Sequence, residues 1–303
     1  MKPLTTGNIA IACGLAAAGA ALIGTKTNRR GTAVETHIDT ARTFNHSSAL
    51  LALSVLADSA MEHYRGCFDN PAMYTPLVAS ALSLLAGLHG GRDHEPQRHA
   101  VRNSVYVGAA LAGIAGTGFH LYNITKRPGR WSWHNLFYAA PIGAPMALLL
   151  SGALGAVAER LRDQPAHEPR LLGMPAGRAL ALLTSAGLVG TLGEVALLHF
   201  RGSFQNPVMY APIVIPPVAT ALLVHTALAR PRPRWFTRFW LRMTTALGVV
   251  GVAFHARGVA RNQGGWRNWS QNLFNGPPLP APPSFSALAL AGLAAQRLRE
   301  TER

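Results

Sequence analysis

The chain has 303 residues and a formal net charge of +15 at pH 7; 49% of its residues are hydrophobic but only 14% are charged, against about 25% in an ordinary soluble domain. That charge deficit argues against a soluble enzyme, and the 30 Gly and 21 Pro, spread through apolar stretches, exclude disordered and collagen-like classes. Cys13 and Cys67 are too few for a disulfide framework or a thiolate metal site.

Taken in chain order, apolar segments of the length needed to cross a bilayer recur near 7–24, 47–66, 71–90, 104–124, 136–157, 179–200, 207–229, 241–258 and 280–296. They predict an all-α, polytopic integral membrane helix bundle of about nine transmembrane helices. The first segment has only Lys2 upstream and no small-residue cleavage site behind it, so it is expected to stay as a helix. Expected divisions are 1–44 (first helix and cytoplasmic linker), 45–162 (a four-helix unit), 163–178 (a cytoplasmic linker), 179–299 (a second four-helix unit) and 300–303 (a tail). Most Lys and Arg fall after the odd-numbered spans, for example Arg29, Arg30, Arg92, Arg98, Arg232, Arg234 and Arg299. Basic residues near span ends are retained in the cytoplasm. The expected orientation in the cell (inner) membrane is therefore N-terminus outside and C-terminus cytoplasmic. Basic charge spread this way reports topology, and no nucleic-acid partner is expected.

The chain also matches itself. Residues 63–78, HYRGCFDNPAMYTPLV, align with residues 199–214, HFRGSFQNPVMYAPIV, and are identical at ten of sixteen positions. Gly113, Gly116, Phe119 and His120 align with Gly248, Gly251, Phe254 and His255; Asn135-Leu-Phe137 aligns with Asn272-Leu-Phe274. The fold expected is thus two parallel four-helix repeats plus one extra N-terminal helix. Asn70-Pro71 and Asn206-Pro207 read as helix caps followed by first-turn prolines. Pro76 and Pro212 are expected deeper in their helices, as kinks.

Four histidines occupy repeated positions near the ends of even-numbered spans: His63, His120, His199 and His255. An ionisable residue at that depth suggests a functional site, although each ring also suits a hydrogen bond between helices. Two imidazoles do not complete a zinc site, but they do complete haem iron, which needs one ligand on each face. Gly116 and Gly251 lie one turn before His120 and His255, leaving room for a porphyrin edge or for a neighbouring helix. Arg65 and Arg201 suit haem propionates or the membrane interface, where Trp131, Trp133, Trp266 and Trp269 are also expected. Asp58 and Glu194 each precede a histidine by five residues, about 140° around the helix. They are candidates for proton or ion handling, or for a pair that fixes packing. His89, His94, His99 and His167 are expected to be solvated in polar loops.

The leading expectation is a membrane electron-transfer subunit of an oxidoreductase complex. It would hold haem b by His63 with His120 and by His199 with His255, linking an extracytoplasmic dehydrogenase or cytochrome to membrane quinone. The competing expectations are a transporter with its pathway between the repeats, and a non-catalytic membrane anchor or scaffold.

Overall fold

The structure, a computed structural model, describes residues 33–138 and 142–302. It is helical almost throughout. The first half comprises α1 (Ala33–Arg65), a 3-10 turn (Pro71–Tyr74), α2 (Thr75–Arg92), α3 (Ala100–Lys126), a short α4 (Trp133–Tyr138) and α5 (Gly143–Arg162). A two-stranded hairpin follows, β1 (Arg170–Leu171) and β2 (Met174–Pro175), turned by Leu172 and Gly173, both with positive φ. Then come α6 (Ala176–Arg201), a 3-10 turn (Pro207–Tyr210), α7 (Ala211–Leu228), α8 (Trp235–Arg261), a third 3-10 turn (Gly265–Asn268), α9 (Trp269–Asn275) and α10 (Pro283–Thr301).

Among the described residues, six segments are long and apolar enough to cross a membrane: Pro71–Arg92, Ala100–Lys126, Gly143–Arg162, Ala176–Arg201, Pro207–Leu228 and Trp235–Arg261. The protein is therefore an all-α, membrane-type helical protein, but the expected nine spans are not reached. The segment 7–24 lies outside the described residues. The segments 47–66 and 280–296 fall in α1 and α10, which are long helices but too polar to qualify. Their packing explains why. α1 is flanked by α2, α5 and α10, and α10 by α1, α6, α7 and α8, so helices enclosed by protein can carry Ser47, Ser48, Ser59 and Gln296 without showing them to lipid.

Three boundaries also move. Residues 33–44, expected as linker, are the opening turns of α1. The expected span 136–157 is divided, with α4 ending at Tyr138 and α5 beginning at Gly143. Asn70 and Asn206 do cap, each accepting a backbone N–H two residues on, at 2.9 and 3.0 Å, but what they cap is a 3-10 turn. That turn places Pro76 and Pro212 in the first turns of α2 and α7, where no helical hydrogen bond is lost. The prolines inside a helix are instead Pro216 and Pro217.

In each half the helices neighbour one another in a ring: α1 with α2, α2 with α3, α3 with α5 and α5 with α1, then α6 with α7, α7 with α8, α8 with α10 and α10 with α6. Helices cross closely where glycine removes a side chain; a Cβ on Gly113 would strike the backbone of Leu149, and one on Gly248 the backbone of Pro282 and Ser286. The main core lies toward the ends of the bundle rich in arginine, joining Phe44, Leu51, Leu154, Leu161, Leu180, Leu223, Leu241 and Leu288. Toward the other end, where the four histidines lie, burial thins along α1 and α6, whose last buried residues are Ser59 and Leu188, while Ile124 on α3 and Val259 on α8 stay buried.

Candidate functional site

At the histidine end the repeated signature builds the same hairpin twice. The chain reverses through two successive residues with positive φ, Cys67 and Phe68 in one copy and Ser203 and Phe204 in the other. Each phenylalanine then stacks on the tyrosine that closes its turn, Phe68 on Tyr74 at 4.5 Å and Phe204 on Tyr210 at 4.6 Å between ring centres. His63 Nδ1 donates to the Met73 carbonyl at 2.6 Å, and His199 Nδ1 to that of Met209 at 2.8 Å. Met73 and Met209 fold back over Gly66 and Gly202, the packing use of methionine. The repeated asparagines do similar work: Asn135 Nδ2 donates to the carbonyls of Pro128 and Arg130, and Asn272 Nδ2 to those of Gln263 and Gly265.

His255 Nδ1 donates to the Pro278 carbonyl at 2.6 Å, and His120 also has a partner. In His63, His199 and His255 the proton is thereby fixed on Nδ1 and the lone pair on Nε2. All four rings are half-buried, and His255 lies within electrostatic reach of His199. Gly116 and Gly251 each lie against a proline, since a Cβ on either would meet the ring of Pro145 (3.1 Å) or Pro282 (2.8 Å).

Asp58 and Glu194 lie in different halves yet come within electrostatic reach of one another. Both are half-buried. The Gly143 backbone N–H, in the first turn of α5, donates to the Glu194 carboxylate, and the carboxylate occupies the place a Gly143 side chain would take. Arg65 and Arg201 part company. Arg65 pairs with Glu62 at 2.8 Å, whereas Arg201, whose own neighbour at that position is Leu198, lies over the rings of Phe137 (5.7 Å) and Tyr138 (5.2 Å). With Phe200, Ser203, Phe204 and Tyr210 these residues line an open cleft of about 430 Å³ between the halves. Tyr64 stacked on Phe274 at 5.3 Å joins the halves at another point. Trp131, Trp133, Trp266 and Trp269 are all exposed, as interfacial anchors are.

The opposite end holds a buried charge network that the spans conceal. Arg102 Nε and Nη2 donate to the two carboxylate oxygens of Glu159, each at 3.0 Å, and Nη1 donates to Asp93 Oδ2 at 2.6 Å. Arg162 Nη2 donates to the carbonyls of Gly90 and Asp93, with Nε 3.7 Å from Glu159. The His99 backbone N–H donates to Glu159 at 2.9 Å, Asn45 Nδ2 reaches Glu159 at 3.4 Å, and the Tyr106 hydroxyl donates to Asn45 Oδ1. Partial burial alone would raise the Asp93 carboxyl, but the Glu95 N–H, the Arg102 guanidinium and the charge of Arg162 hold it below the usual carboxylate range. His89 and His99, expected to be merely solvated, are exposed but engaged: Arg102 donates to His89 Nδ1 at 3.1 Å, and His99 caps α3. The missed signal was a charge at the very edge of a span, where Arg102 and Glu159 look like topology markers.

Among the described residues no group of three or more His, Cys, Asp or Glu is placed to hold a metal ion. No protein-family model, no curated protein and no solved structure matches the chain.

Proposed function

We propose that the protein is a membrane electron-transfer subunit built from two parallel four-helix repeats after an N-terminal helix, with b-type haem held by His63 with His120 and by His199 with His255. The matching helix rings and the identical hairpins support the repeat. The observation that carries the haem reading is the imidazole geometry: a main-chain carbonyl holds Nδ1 of His63, His199 and His255, the arrangement that orients a ligating histidine and raises its basicity. The residues that would hold the group are these imidazoles, two in each half. His63 and His120 stand on α1 and α3, which are not neighbours in their ring, and His199 and His255 on α6 and α8, placed likewise. The thinner burial along α1 and α6 at this end suits a bulky flat group, while Gly116 and Gly251 serve the helix contact instead.

Haem, when bound, supplies reversible one-electron chemistry. The chain's own residues orient the imidazoles and, through Arg201, offer a guanidinium to a carboxylate. With the arginine-rich end in the cytoplasm of the cell membrane, as the distribution of Lys and Arg favours, the histidine end faces an extracytoplasmic dehydrogenase or cytochrome, and quinone in the bilayer is the other redox partner. The protein purified in detergent is expected to show a haem band in a reduced-minus-oxidised spectrum. Replacing His63 or His199 with alanine should each remove about half of it, and the double variant all of it, with the size-exclusion peak retained. A purified protein with no such band overturns the reading.

The meeting of Asp58 with Glu194 favours a second reading, a transporter whose path runs between the repeats and uses the two acids to carry protons. In proteoliposomes with a trapped pH dye, Asp58→Asn combined with Glu194→Gln is expected to bring proton flux down to the level of empty vesicles. Unchanged flux in that variant removes this reading.

A further inference from the structure

We infer that α8 and α10 together form a binding site for the phosphate headgroup of an anionic phospholipid, held by Arg238, Arg242 and Arg297. It rests on the protein lying in a membrane and not on what the histidines hold. Trp235, Phe239 and Met243 stand one turn apart along the start of α8 and are all exposed, Trp235 at 73%. Aromatic rings at the entry of a spanning helix lie at headgroup depth. Arg238 and Arg242, also one turn apart, form the adjoining stripe.

α10 packs against α8 and is almost wholly buried, yet Arg297 is exposed within an otherwise buried run from 291 to 299. It emerges within electrostatic reach of both Arg242 and Arg238. The acids nearby are already engaged. Glu300 accepts from Gln296 Nε2 at 2.8 Å and from the Arg234 N–H at 3.4 Å, and lies 3.8 Å from Arg238. Asp39 pairs with Arg42 at 3.0 Å. Glu300 thus offsets one of the three guanidiniums and Asp39 is shared with Arg42, so the cluster gathered from two helices keeps an excess of positive charge. Like charges so placed repel unless an anion joins them, and guanidinium geometry matches phosphate oxygens. The corresponding positions in the first half carry Asn103, Val107 and Arg160, so the site belongs to the second half alone.

The test is thermal melting of the full-length protein in neutral detergent, followed by tryptophan fluorescence, with added dioleoylphosphatidylglycerol, dioleoylphosphatidylcholine or inorganic phosphate. Phosphatidylglycerol is expected to raise the midpoint by about 3 °C or more through preferential binding to the folded state, and phosphatidylcholine and phosphate to leave it unchanged. The rise should vanish in R238Q/R242Q/R297Q and persist in R160Q. If the triple variant does not give a monodisperse peak, R297Q alone, altering an exposed side chain, should show a smaller rise than the unaltered protein. An undiminished rise in these variants, or an equal rise from inorganic phosphate, overturns the lipid site.

Discussion

Glu159→Gln is expected to lower the stability of the detergent-solubilised protein by about 3–5 kcal/mol, the scale for breaking a buried ion pair on one side. Glu159 is fully buried, with Arg102 bound to both of its oxygens and Arg162 beside it. The amide keeps the shape but leaves two enclosed guanidiniums with Asp93, at the edge of the cluster, as their one remaining carboxylate. A drop of about 10 °C in melting midpoint is the measurable form of that loss. The second half shows why the same residue is tolerated elsewhere. Gln296 stands where Glu159 does, and Thr237 where Arg102 does, while Arg299 still donates to the Ala229 carbonyl at 2.9 Å as Arg162 does to that of Asp93. Arg102→Thr added to Glu159→Gln should therefore recover part of the loss. A single-variant shift below about 1 kcal/mol would show that the pair is solvated as surface pairs are.

Gly152→Val is expected to cost about 3 kcal/mol or more by overpacking. Gly152 is buried where α5 crosses α3, and a Cβ there would collide with the Tyr106 carbonyl and the Ala110 backbone, whose Cα would lie at 2.9 Å. Backbone on the far side cannot swing away as a side chain does, so the helices must separate. Arg102 and Tyr106 on α3 would move with them, loosening the network to Glu159 and Asn45. The melting midpoint and the size-exclusion profile read both effects. Gly108→Ala is the control, because Gly108 is exposed with open space around it, and alanine there should be neutral or slightly stabilising. Equal midpoints for the two variants would contradict the close crossing.

The membrane-type fold was legible because apolar length is a local property of sequence, and six of the expected segments overlap helices that satisfy it, 136–157 only through the shifted Gly143–Arg162. Enclosure is not local. Nothing in the residues of α10 says that four other helices surround it, so its polar Gln296 and Arg299 read as the margin of a lipid-facing span. The repeated hairpin was legible as a motif but not as a mechanism, because the left-handed residues were Cys67, Phe68, Ser203 and Phe204 and not glycine. Pro76 and Pro212 were misplaced for a related reason: a 3-10 turn intervenes, and its four residues shift the helix start. The histidines and acids were found from their repetition in the chain. The electrostatic proximity of Asp58 to Glu194 was not, since it depends on how the two halves meet, and the cluster around Glu159 was hidden because its members lie far apart in sequence.

The enclosure of α10 also constrains biogenesis. During synthesis this helix emerges after α1, α6, α7 and α8, the four partners against which it packs, so the seam between them stays open until α10 arrives. Until then Thr184 of α6 and the Thr245 carbonyl of α8 lack the Gly292 and Ser286 neighbours that cover them, and an insertase or chaperone has a defined interval in which to guard that seam.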